Sequence, residues 1–230
     1  MKEILQKVEV ARVVDHDLNA SDVCVFDLSK NNKELEEIDT TNPEEYGAWK
    51  QKKLAEKNAV IGIGKYNEDR CIYRSKLFQS TEPRSLHLGI DINMPARSKV
   101  FSPLDGEVHS FKDNNNKGDY GPTIILRHNI NGKIFHTLYG HLSKDSLEKL
   151  HRGMKVQKGQ HIAYIGGTHE NGGWSPHLHF QIIIDMEGKE GDYPGVAKPS
   201  EADRYLKNCP DPNILLRIKK RFPVFDCKSI

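Results

Sequence analysis

The chain has 230 residues, and its 34 lysines and arginines against 32 acidic residues leave a net charge of only +2. That balance gives no electrostatic footprint for nucleic acid or an anionic membrane surface, and no run of about 20 apolar residues is present to span a bilayer. The length suffices for one domain with a real core and substantial extensions. The start, "MKEILQKVEVARVVDHDLNA", lacks an apolar stretch of signal-peptide length, so a cytoplasmic chain is expected, or a secreted or periplasmic one had a leader been trimmed. Cys24, Cys71, Cys209 and Cys227 form no C-x-x-C pair and suggest neither a zinc knuckle nor a redox motif. Reduced, semi-buried thiols are the simplest expectation, and a Cys209 to Cys227 disulfide is the alternative for an exported chain.

Residues 1–80 read as a mixed N-terminal extension. "VCVF", Val23 to Phe26, is a short strand candidate, and "NPEEYGAWKQKKLAEK" predicts a helix near 43–57. Its start signals are Asn42 as N-cap, Pro43 at the first helical position and Glu45 three residues after the cap. Tyr46, Trp49 and Leu54 then share an apolar face, expected to pack on the back of the domain behind it. In "IGIGKY", Gly62 and Gly64 lack the rest of a phosphate-loop signature and read as a turn. Residues 81–185 change to short runs separated by Gly, Pro, Asn and Asp: "KVFSPL", "GEVHSF", "PTIILRH", "IFHTLYGHL", "MKVQKGQHIAYIG" and "HLHFQIII". Many short strands with turns between them predict a mainly β, antiparallel domain. Residues 186–230 read as a C-terminal extension packing on the core, with a small helix opened by Ser200 and Asp203 three residues on. Its basic run from Lys219 to Arg221 reads as a solvated face.

Chemistry-bearing residues concentrate in the β region. In "WSPHLHFQI", His177, His179 and Gln181 alternate with Leu178, Phe180 and Ile182, the period of a half-buried strand with both imidazoles on one face. "HLGID" adds His87 and Asp91, and "LYGHL" places His141 at a strand end. The helical H-E-x-x-H motif is absent: His169 and Glu170 begin it, but Gly173 stands where the second histidine belongs. A catalytic zinc site keeps three protein ligands and an open position, whereas a structural site is closed by four, often cysteines. His87, Asp91 and one histidine of "HLH" make a three-ligand set, leaving His141 and the other histidine for proton transfer. Tyr139, His128 and His136 read as packing and structural residues.

From His87 to about Gln181 the chain resembles the lysostaphin-type zinc endopeptidases, which cut the peptide cross-links of bacterial peptidoglycan. "HLGIDI", "SPLDGEV", "YGPTIILRH", "TLYGHL", "GMKVQKGQHIAYIG" and "SPHLHFQ" all fall in that family's order. The resemblance implies a duplicated hybrid motif related to biotinyl and lipoyl carrier domains, with a sheet flooring a narrow groove. It implies Zn2+ held by His87, Asp91 and His179, with His141 and His177 as catalytic histidines assisting a zinc-activated water. It also implies a peptide or peptidoglycan substrate, with no nucleic-acid partner and no membrane span. Latent members of the family cover the groove with N-terminal segments, so one of the two extensions is expected to narrow or cap it. The stretch "GGTHENGGWSPHLH" departs from the family's usual turn by inserting Glu170, Asn171 and Trp174. A narrower similarity, through "YNEDRCIYRS", "GDYPGVA" and "CPDPN", is to the peptidase-like domain found between a kinase-like domain and a class III aminotransferase in some large intracellular proteins. Two alternatives to a peptidase remain: a non-catalytic metal-binding interaction module, and an amidohydrolase acting on a small peptide-like metabolite.

Overall fold

The structure, a computed structural model, describes residues 1–219. In chain order its elements are α1 (Lys2–Lys7), β1 (Val23–Val25), α2 (Pro43–Glu56), β2 (Ile61–Gly64), β3 (Leu86–His87), β4 (Ile90–Asn93), β5 (Lys99–Phe101) and β6 (Gly106–Asn114). There follow β7 (Gly121–Ile130), β8 (Lys133–Gly140), β9 (Lys155–Val156), β10 (His161–Tyr164), β11 (Leu178–Ile183), β12 (Val196–Ala197), α3 (Ala202–Asn208) and α4 (Asn213–Leu216). One eight-stranded sheet runs in the order β1-β2-β4-β11-β8-β7-β6-β9, and two small sheets pair β10 with β5 and β12 with β3. β1 and β2 are parallel, while the other pairings are antiparallel. The β-rich, antiparallel expectation therefore holds, and the long hairpin of β7 and β8 forms the middle of the sheet.

The period of two in β11 sorts its side chains. Leu178, Phe180 and Ile182 enter the main core with Ile90, Ile92, Ile124 and Tyr139, each stabilising the fold by roughly 1.5–3 kcal/mol through burial. The opposite face carries His179, Gln181 and Ile183. Alternation predicts that this second face is solvated, yet all six residues of β11 are buried. The reason lies further along the chain: Met186, Tyr193, Ala197 and Cys209 join Ile183, Leu138 and Tyr120 in a second apolar cluster that covers that side of the sheet.

Helix α2 begins as its sequence dictates, with Asn42 Oδ1 accepting from the backbone N–H groups of Glu44 and Glu45 and Pro43 at the first helical position. Trp49 packs within the N-terminal segment, against Phe26 and Tyr46, rather than on the back of the sheet. Two other expectations fail. "IGIG" is strand β2, not a turn, and glycine at 62 reflects packing: a Cβ there would lie 2.1 Å from the Phe26 ring. Ser200 does not cap α3. Its hydroxyl donates to Glu82, and the helix starts two residues later without a side-chain cap. Tyr139 is a core residue whose hydroxyl accepts from Thr137. His128 is likewise buried in a structural role, between the Asp105 carbonyl and the Thr137 hydroxyl. Among the described residues Cys71 and Cys209 are free thiols, Cys209 buried and Cys71 half-buried, and Cys24 is half-buried as well. Cys227, with the proposed disulfide, and Lys220 and Arg221 of the basic run lie outside the described residues.

Candidate metal centre and cleft

The sheet order itself assembles the centre. β11 lies between β4 and β8, and its register sets His179 directly opposite Asp91 on one side and Gly140 on the other. His177 sits one residue before β11, His141 one residue after β8, and His87 ends β3. His141 adopts a left-handed backbone with φ 62°, a conformation that costs a non-glycine residue free energy and concentrates at functional sites. Gly89 leaves the room His179 needs: a Cβ there would lie 2.5 Å from the imidazole Cε1.

His87, Asp91 and His179 are brought together in one buried cluster. His87 Nε2 lies 3.0 Å from His179 Nδ1, and each of these nitrogens is 3.2 Å from Asp91 Oδ1. The outward hydrogen bonds settle what these atoms are. His87 Nδ1 lies 2.8 Å from the Lys65 carbonyl, which can only accept, so the proton is on Nδ1 and Nε2 presents a lone pair. Gln181 donates its amide N–H to the Pro194 carbonyl, which turns its Oε1 toward His179 Nε2 at 2.9 Å. His179 therefore carries its proton on Nε2, and Nδ1 presents the lone pair. Three acceptor atoms thus face one another with no proton between them. Burial also pushes His87 down to about 4, which disfavours an imidazolium that could relieve the conflict. A divalent cation resolves it. Tetrahedral zinc with bonds of about 2.0–2.1 Å separates its ligands by about 3.3 Å, close to the spacing found, so the donor set fits zinc. Asp91 is held well below the usual carboxylate range: burial raises it, but the Arg70 guanidinium beside it outweighs that.

His141 and His177 stand beside this triad with ring centroids 4.2 Å apart. His141 Nδ1 donates to the Asn171 carbonyl at 2.9 Å and His177 Nδ1 to the Ser175 carbonyl at 2.8 Å, so both present Nε2 lone pairs. His177 Nε2 is 3.9 Å from Asp91 Oδ1. Burial lowers both, His141 to about 3 and His177 well below its ordinary value, so each rests as a neutral proton acceptor. All five residues line or floor one cleft.

Several other residues around the centre are not singled out as candidate site residues by the sequence. Tyr120, the first residue of "YGPTIILRH", places its hydroxyl 3.4 Å from His179 Nε2. Asn171 and Trp174, in the stretch that departs from the family pattern, respectively hold His141 and line the cleft. Tyr46, Lys50, Arg70, Tyr73 and Phe78 also line the cleft, and all precede residue 85. Lys50 is buried, donating to Asn93 Oδ1 at 2.6 Å and Ser175 Oγ at 2.8 Å, and burial lowers it to about 7. Alternation could have flagged Gln181. The others depend on contacts between distant segments.

Residues 85–192 match the family described as Peptidase family M23. A protein from Buchnera aphidicola subsp. Baizongia pistaciae, described as an uncharacterized metalloprotease, is 34% identical over 104 residues, covering 45% of this chain and 25% of that protein. This chain thus spans about a quarter of the length of that curated relative. Among solved structures, a zinc containing peptidase from Vibrio cholerae is 30% identical over 44% of this chain and 28% of its own, with a TM-score of 0.36. The catalytic domain of lysostaphin from Staphylococcus simulans is 26% identical over 54% of this chain and 81% of its own, with a TM-score of 0.37.

Proposed function

We propose, from the match of residues 85–192 to Peptidase family M23, that the chain is a zinc metallopeptidase that hydrolyses peptide bonds, with peptidoglycan cross-links as its substrate class. The observation that carries this reading is the convergence of three unprotonated donor atoms, His87 Nε2, His179 Nδ1 and Asp91 Oδ1, within 3.2 Å of one another. Three protein ligands leave the open position that distinguishes a catalytic from a structural zinc site. Bound zinc supplies a Lewis acid that polarises a carbonyl and brings the pKa of water to about 7.

The remaining work falls to the two neutral histidines. His177, the nearer to Asp91, accepts the proton of the attacking water. His141, whose ring centroid lies 4.2 Å from that of His177, stabilises the oxyanion once the same proton is relayed to it from His177, a charge that burial disfavours until negative charge develops beside it. An interaction that strengthens only along the reaction path lowers the barrier rather than merely tightening substrate binding. The proton is then returned to the leaving amine.

The lining contributed by Tyr46, Lys50, Tyr73 and Phe78 favours a second reading, hydrolysis of short peptide-like molecules by the same site. Incubating the full chain with purified peptidoglycan and with short cross-link peptides, followed by mass spectrometry, separates the two. Cleavage of both supports the cell-wall reading, and cleavage of short peptides alone supports the second. Bound zinc with no cleavage of either would leave a non-catalytic metal-binding module and overturn the proposal.

A further inference from the structure

The Asp91 carboxylate has two oxygens, and the ligand cluster uses one. Oδ1 faces His87 and His179, whereas Oδ2 is held by Arg70 Nη1 at 2.6 Å. Arg70 lies outside the matched region, in the irregular stretch after β2, and is 3% exposed. Each nitrogen of its guanidinium has a partner: Nε donates to Glu68 Oε2 at 2.9 Å, Nη2 to the Lys65 carbonyl at 3.1 Å, and Nη1 to the Tyr73 hydroxyl at 3.0 Å as well as to Asp91. Glu68 is fixed in turn by Lys65 Nζ at 2.9 Å and by the Leu28 backbone N–H at 3.1 Å. The Lys65 carbonyl that receives Arg70 also receives His87 Nδ1. One backbone carbonyl therefore ties Arg70 and a metal-facing histidine to the same point.

We infer that Arg70 is a positioning residue of the metal centre, holding Asp91 so that a single oxygen is offered to the metal. The inference rests on the zinc site proposed above. A planar fork anchored at three other points fixes the carboxylate in rotation as well as position, which a point charge cannot do. Without that anchor Asp91 can rotate, present both oxygens, or swing out of register with His179 across the β4–β11 pair. Groups that orient metal ligands from behind contribute about 10–100-fold to metal affinity. The segment before residue 85 is on this account part of the metal centre and not merely a cover over it.

The test measures zinc affinity of the full chain by competition with a chromophoric chelator, with circular dichroism of the metal-free protein as the control for folding. Wild type is measured first: absence of zinc binding there would overturn the zinc site itself and is distinguishable from any failure of the Arg70 inference. Given a wild type that binds, Arg70→Met is expected to weaken zinc binding by about 10–100-fold while His87, Asp91 and His179 remain in place. Arg70→Lys keeps a cation between Glu68 and Asp91, which guards against simple loss of fold, and is expected to recover only part of the affinity. A folded Arg70→Lys or Arg70→Met protein that binds zinc as tightly as wild type would overturn the inference.

Discussion

The two halves of the cleft are built on different principles. On the side formed by residues 85–192, Asp91, His141, His177 and His179 occupy register positions or ends of the adjacent strands β4, β11 and β8 of the large sheet, and His87 ends β3 of the small β3–β12 sheet. Their geometry follows from strand pairing, which is rigid. On the side formed by residues before 85, Tyr46 and Lys50 come from α2, while Arg70 and Tyr73 come from irregular chain. Their positions are set by side-chain contacts, above all the Glu68–Arg70–Asp91 chain of ion pairs. The contrast teaches that this metal centre joins paired strands that provide the ligands to a separate segment that orients them.

The largest effects are expected on the sheet side. Asp91→Ala or His179→Ala removes a ligand and leaves two, so both zinc and hydrolysis should be lost, as read by elemental analysis and peptide cleavage on the same preparations. His141→Ala and His177→Ala leave the ligands intact and should retain zinc while turnover falls by about 10² to 10⁴-fold. Zinc loss in His177→Ala with retention in His179→Ala would exchange their roles. Gln181→Leu releases the proton placement of His179, and zinc affinity should drop by about 10–100-fold with the fold intact.

The smallest expected effect probes the other side. The folded Lys50 value of about 7 lies below the 10.5 of the unfolded chain because burial disfavours its charge. Between those values the unfolded state binds more protons, so this residue makes stability rise with pH across that window and withdraws the gain as pH falls toward 7. Lys50→Met should flatten the slope of denaturation free energy against pH by up to about 1.4 kcal/mol per unit. An unchanged slope would mean that α2 does not seal Lys50 against Asn93 and Ser175.

This division of labour also explains what the sequence revealed. His177 and His179 were legible because a strand's period of two puts both on one face, and the ordered set with His87, Asp91 and His141 pointed to one centre. The capped start of α2 was legible because Asn42, Pro43 and Glu45 act within one turn. Arg70 was not, since its contact with Asp91 joins irregular chain to a strand 21 residues away. Strand β2 was hidden because Gly62 and Gly64 look like turn residues, although Gly62 makes room for the Phe26 ring. Ser200 looked like a cap, but a distant acceptor, Glu82, takes its hydroxyl.

The zinc content of the purified full chain, measured by elemental analysis before and after incubation with zinc, tests the central claim most directly. About one zinc per chain is expected, held by the three converging donors His87, Asp91 and His179. A protein that carries no zinc and takes none up would contradict the account.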